Sequence, residues 1–146
     1  MKDFTHSTTN ELSHIGIAVK DLDLALSFYV DRLGLHIITT ETILTEGVKI
    51  VLLQHGTMQI ELLHALNESS PIYTYIEKYG EGIHHIAFTV NDISSQLTSL
   101  HQQGIQLIDD HPRFGARNTK VAFIHPASSN GVLVELCEKG EANGYV

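Results

Sequence analysis

The feature that most constrains this chain is an internal repeat. Residues 12–53 and 83–124 can be laid on one another at an offset of 71, which places His14 on His85, Ile15 on Ile86, Val19 on Val90, Asp21 on Asp92, Leu26 on Leu97 and Lys49-Ile50 on Lys120-Val121. A three-residue lengthening of the last hairpin then puts Glu61 on Glu135, so that IELL lies on VELC. A period of this length is too long for a solenoid and fits a duplicated module.

Periodicity gives each copy the same order. LSHIGIAV (12–19) predicts a short apolar strand, and Asp21 is placed to cap a helix over 22–33 that Gly34 ends. Strands are predicted at 35–40, 48–53 and 58–63, with a turn at His55-Gly56-Thr57. NESSPIYTYIEKYGEG predicts a connecting helix capped by Ser70, with Pro71 at its first position and Gly80 at its end. The second copy predicts a strand at 83–90, a helix after Asp92 ended by Gly104, and strands at 105–108, 120–124 and 131–137. A polar loop fills 109–119. The organisation read from this is a tail at 1–11, a first βαβββ module at 12–66, a connecting helix at 67–82, a second βαβββ module at 83–138 and a tail at 139–146, together one α+β domain.

Within this frame four residues stand out. His14 and His85 sit in the first strand of each copy, Glu61 and Glu135 in the last, all among apolar neighbours. Each alone has an ordinary reading as a hydrogen-bonded histidine or a carboxylate on a wet sheet face. A carboxylate buried in such a strand is costly unless paired or bound to a cation. Their equivalence in a duplicate makes them a set, and two modules facing one another would bring all four to one divalent metal ion. Two imidazoles and two carboxylates suit Zn, Co, Ni or Mn, and also Fe. His84 and His85 face opposite ways on a strand. His85 aligns with His14 and is the expected ligand, which leaves His84 as a rim or supporting residue. Six other histidines without a repeat partner (6, 36, 55, 64, 101 and 111) read as solvated surface groups.

Composition narrows the function classes. The formal charge is −8, from 17 acidic and 9 basic residues, which argues against nucleic acid as the partner. A single cysteine, Cys137, excludes an internal disulfide and a cysteine-rich zinc site, and agrees with a reducing cytoplasm. No apolar run is long enough to span a bilayer, and the polar start MKDFTHSTTNE carries no signal-peptide core.

The segments HIGIAVKDLDLALSFYVDRLGL, EGVKIVLL, IELL, SPIYTYIEKYGEGIHHIAFTVNDI and VAFIHPASSNGVLVEL resemble the vicinal oxygen chelate (glyoxalase and bleomycin-resistance) superfamily and, within it, the methylmalonyl-coenzyme A epimerases. The resemblance covers most of residues 12–138. It implies two βαβββ modules forming a curved mixed sheet around a metal site, whether within one chain or across a homodimer. It also implies an acyl-coenzyme A substrate and a 1,1-proton transfer through a metal-stabilised enolate. Glu135 would serve as one acid/base group as well as a ligand.

The second base of that family is a glutamate in Glu-Gln-Gly-Val. Here the matching residues are Thr45-Glu46-Gly47-Val48, so Glu46 stands one place late. It is the second base if a bulge at Gly47 restores its direction, and a solvated loop acid if not. Two other departures are Ala127 where the family often has Lys, and Arg117-Asn118 where it tends to Gly. Arg113, Arg117, Lys120 and His84 are candidate contacts for substrate carboxylate or phosphate, and an exposed basic loop is the competing reading for the three cations. Alternative activities on this fold are a lactoylglutathione lyase, a ring-cleaving dioxygenase, or a binding protein with no need of a second base.

Overall fold

The computed structural model describes residues 9–138. These divide into two compact units: residues 14–84, and residues 85–138 together with 9–13. Among the described residues no helix is long and apolar enough to cross a membrane.

The first unit contains the second half of β1 (Thr9–Ala18), helix α1 (Leu22–Leu26), β2 (His36–Ile43), β3 (Val48–His55), β4 (Met58–Ala65) and α2 (Pro71–Tyr79). Its strand order is β2-β3-β4-β1, with β1 parallel to β4 and the other neighbours antiparallel. Asp21 caps α1 as expected, its carboxylate accepting from the Leu24 amide at 3.0 Å. The helix expected over 22–33 changes character halfway: Ser27–Arg32 winds as a π-helix, and Gly34 closes it at a left-handed φ of 82°. Leu22, Ala25, Leu26, Tyr29 and Val30 pack on Val19, Leu35, Val51, Leu53 and Leu62, covering one face of the sheet. The connecting helix begins and ends where the sequence places it, with the Ser70 hydroxyl accepting from the Ile72 amide, Pro71 in the first turn and Gly80 as the last cap.

The second unit contains most of β5 (Gly82–Val90), α3 (Ile93–Gln102), β6 (Arg113–Phe114), β7 (Lys120–Ile124) and β8 (Val134–Glu138), in the order β5-β8-β7-β6. Asp92 repeats the cap of Asp21, accepting from the Ser95 amide at 3.0 Å. Val90, Ile93, Leu97, Ala122, Ile124 and Leu136 form the core beneath α3.

Two expectations are corrected. Thr9–Glu11, placed in the tail, belong to β1, and the rest of the two expected tails lies outside the described residues. The strand expected at 105–108 does not form. Ile105 and Leu107 do join the core, but pairing is limited to a single bridge, Leu107 to Ile124, and the second strand of this unit in chain order is instead the two-residue β6, inside the expected loop. The Asp109 carboxylate accepts from the Phe123 amide at 2.8 Å, taking a donor that a regular strand would have used. Pro112 follows and has no amide to give.

Candidate metal centre

Alternation leaves one face of each sheet for chemistry. In the first unit Ile15, Ile17 and Val19 lie on the helix side of β1, so His14, Gly16 and Ala18 lie on the other. On β4 the same rule puts Ile60 and Leu62 under the helix and Glu61 opposite. Parallel pairing sets Gly16 beside Glu61. The second unit repeats this register: Ala87 stands beside Glu135, two residues after His85. In both units, then, the glutamate flanks the residue two beyond the histidine, and that residue is small.

The outcome is the same pair twice. His14 Nε2 lies 3.6 Å from Glu61 Oε2, and His85 Nε2 lies 3.6 Å from Glu135 Oε2. All four residues are buried, at 2%, 4%, 3% and 7% exposure. A separation of 3.6 Å is too long for an N–H···O hydrogen bond. It is near the spacing of two donors around one cation, since ligand bonds of about 2.0–2.2 Å at a tetrahedral angle put donor atoms about 3.4 Å apart. Among the described residues, the donors able to hold a metal ion are drawn from His14, Glu61, His85, Glu135 and Cys137.

Around the second pair the Cys137 thiol donates to Glu135 Oε1 at 2.8 Å, leaving Oε2 on the histidine side. The His85 ring meets the Phe123 ring edge-on at 5.7 Å, and the Arg113 guanidinium lies over Phe123 at 5.4 Å while approaching Asp109 at 3.5 Å. Sequence reading missed Phe123 and Cys137. Alternation from Glu135 would have found Cys137, whereas Phe123 required knowing its strand neighbours.

The other candidates separate. Arg113 pairs with Val121 and so shares the His85 face. Arg117 sits in a short turn at a left-handed φ of 57°, followed by Asn118 at 56°, a backbone region that glycine adopts without strain. Lys120 shares the parity of Ala122 and Ile124, the core side, and lies 3.7 Å from Glu138. His84 also points away from His85, with its ring 4.7 Å from Tyr75, and burial pulls its pKa down to about 4. Glu46 closes a single helical turn (Leu44–Glu46) before Gly47 at a φ of 61°. Because β3 starts only at Val48, strand parity does not govern the direction of the half-buried Glu46.

A buried His–Glu pair of one spacing is thus repeated on both units. Residues 13–123 match the family model of the glyoxalase/bleomycin resistance protein/dioxygenase superfamily, and the chain belongs to it. Among its relatives, an uncharacterised Bacillus subtilis protein is 48% identical over 133 residues, covering 90% of this chain and 95% of the relative. The ethylmalonyl-CoA/methylmalonyl-CoA epimerase of Cereibacter sphaeroides is 38% identical over 127 residues, covering 86% and 95%. The crystal structure of methylmalonyl-CoA epimerase from Mycobacterium tuberculosis superposes with a TM-score of 0.87 at 36% identity, covering 95% of this chain and 94% of that one. By these likenesses the chain is an enzyme of the racemase and epimerase class.

Proposed function

We propose that this enzyme interconverts the (2R) and (2S) epimers of methylmalonyl-CoA by removing and returning the hydrogen between thioester and carboxylate. The observation that carries this reading is the buried His–Glu pair, present twice at one register and one spacing. In this reading His14, Glu61, His85 and Glu135 hold one divalent ion between them. That ion, when bound, supplies Lewis-acid stabilisation of the negative charge that develops on the thioester oxygen.

The chain's own groups do the rest. Glu135, steadied at Oε1 by the Cys137 thiol, takes or returns the proton on one face of the carbon. Glu46 serves the other face, from a turn tied down by the Leu66 amide donating to the Gly47 carbonyl at 2.8 Å. Phe123 keeps water off the His85 side, and Arg113, held across its ring, meets an anionic group of the substrate. Arg117 is a second candidate for that role. The enzyme works as a cytoplasmic homodimer in this proposal.

The test is incubation with either epimer in deuterated buffer with added Co²⁺ or Zn²⁺. The 2-hydrogen should exchange and the other epimer should appear. Absence of both overturns the proposal, and turnover of the methylglyoxal–glutathione hemithioacetal in its place would establish the lyase. Glu46→Gln should slow epimerisation at least a hundredfold, as loss of a general base does. Unchanged turnover removes Glu46 from the mechanism.

A further inference from the structure

β4 carries a second polar side chain on the Glu61 face. Gln59 stands two residues before Glu61, and pairing with β3 runs without a shift from Val48 opposite Ala65 to His55 opposite Met58, so both side chains leave the strand on the same side. Gln54 is directly opposite Gln59.

Chemistry determines which way these two amides point. Gln54 bonds the backbone carbonyl of Gly56 at 2.8 Å, and a carbonyl only accepts, so the group there is the Gln54 NH₂. The Gln54 oxygen is therefore the atom turned toward Gln59, at 3.2 Å, and Gln59 meets it with its own NH₂. Inverting Gln59 would set two carbonyl oxygens against each other. The Gln59 Oε1 is left over, enclosed, with no hydrogen-bond partner among the described residues. A buried acceptor in that condition is costly, and such groups in folded proteins nearly always have a partner in the working state.

We propose that Gln59 Oε1 accepts a hydrogen bond from the substrate's secondary-amide N–H nearest the sulfur, so that the enzyme reads the thiol arm as well as the acyl group. This rests on the thioester reading above. Two residues along a strand span about 7 Å. In a coenzyme A thioester the first amide nitrogen is four bonds from the thioester carbonyl carbon, about 5 Å when extended at ordinary bond lengths. A carbonyl held at the Glu61 end of this face therefore brings that amide within reach of Gln59, and the Gln54–Gly56 relay keeps the acceptor turned to receive it.

The test compares two small substrates that differ only at this N–H: the methylmalonyl thioester of N-acetylcysteamine, and the 2-acetoxyethyl thioester, in which oxygen replaces N–H. Wild-type enzyme should favour the amide by about tenfold in kcat/KM, the effect of one hydrogen bond to a buried acceptor. In Gln59→Met the ratio should fall to near one, and because it is a ratio, general losses of folding or metal cancel. Gln54→Leu, which frees Gln59 to turn, should also lower it. A wild-type ratio near one, or a ratio unchanged in both variants, overturns the assignment while leaving epimerisation of methylmalonyl-CoA intact. Failure of wild-type enzyme to turn over methylmalonyl-CoA itself overturns the proposed function, and the Gln59 assignment with it.

Discussion

The two units carry the same donor pair on different supports. In the first, β2 is a full eight-residue strand paired along its length with β3. In the second, the corresponding strand is reduced to Arg113–Phe114, and the chain before it reaches β7 through one bridge and scattered bonds such as Ile108 N–H to the Phe123 carbonyl at 3.0 Å. Yet each histidine and glutamate sit 3.6 Å apart. What the pairs share is the central parallel ladder, β1 with β4 and β5 with β8, in which a small residue, Gly16 or Ala87, lies beside the glutamate. The ladder therefore places the donors, and the outer strand is free to diverge. In the second unit it has become a loop that carries Arg113 and Arg117.

The largest effects should come from asking whether equal geometry means equal role. Glu61→Gln keeps an oxygen donor at its position and should retain metal and at least a tenth of activity, whereas Glu135→Gln should retain metal but lose about a thousandfold in kcat, because only Glu135 also moves a proton. Elemental analysis and epimerisation assays decide this, and equal losses in the two variants would make the pairs functionally identical. His85→Ala, in contrast, should lower bound metal outright.

Next is the histidine beside the ligand. His84 titrates near 4 when folded and near 6.5 when free. Between those values the unfolded chain binds a proton that the folded chain refuses, so its contribution is intact above 6.5 and is lost as the pH falls toward 4. Between pH 7 and pH 5 the wild type should lose about 2 kcal/mol more stability than His84→Gln, measured by urea unfolding. Equal losses would mean that burial does not hold this ring neutral.

The matched caps offer a smaller test. Asp21→Ala and Asp92→Ala each remove one carboxylate bond to the third residue of a helix and should each cost about 1 kcal/mol by thermal or chemical unfolding. A marked inequality would show that the π-wound continuation of α1 changes what its cap supports. The smallest effect is expected at Lys120. Its ion pair with Glu138 is half exposed, so Lys120→Met should change stability by less than about 1 kcal/mol and leave KM unchanged. A raised KM would put it on the substrate side.

Much of the site was legible because it obeys local rules. The repeat chose His85 over His84 and tied Glu61 to Glu135, and Asp21, Asp92, Ser70 and Gly80 mark helix ends through bonds made within a few residues of themselves. The failures have a common cause. The 105–108 segment has good strand composition, but its pairing was decided by Asp109, whose carboxylate reaches an amide fourteen residues ahead. Glu46 resisted assignment because a strand rule was applied to a residue that the structure puts in a helical turn.

By itself the sequence determined a duplicated βαβββ chain with two His–Glu pairs and the boundaries of its helices, since these depend on spacing and on neighbours in the chain. Only the tertiary structure decided the path from 105 to 114, the pairing of Lys120 with Glu138, and the direction of the Gln59 carbonyl. Each of those turns on which of several hydrogen-bond or charge partners a side chain takes, and the partner is supplied by a strand or turn that the chain reaches only by folding.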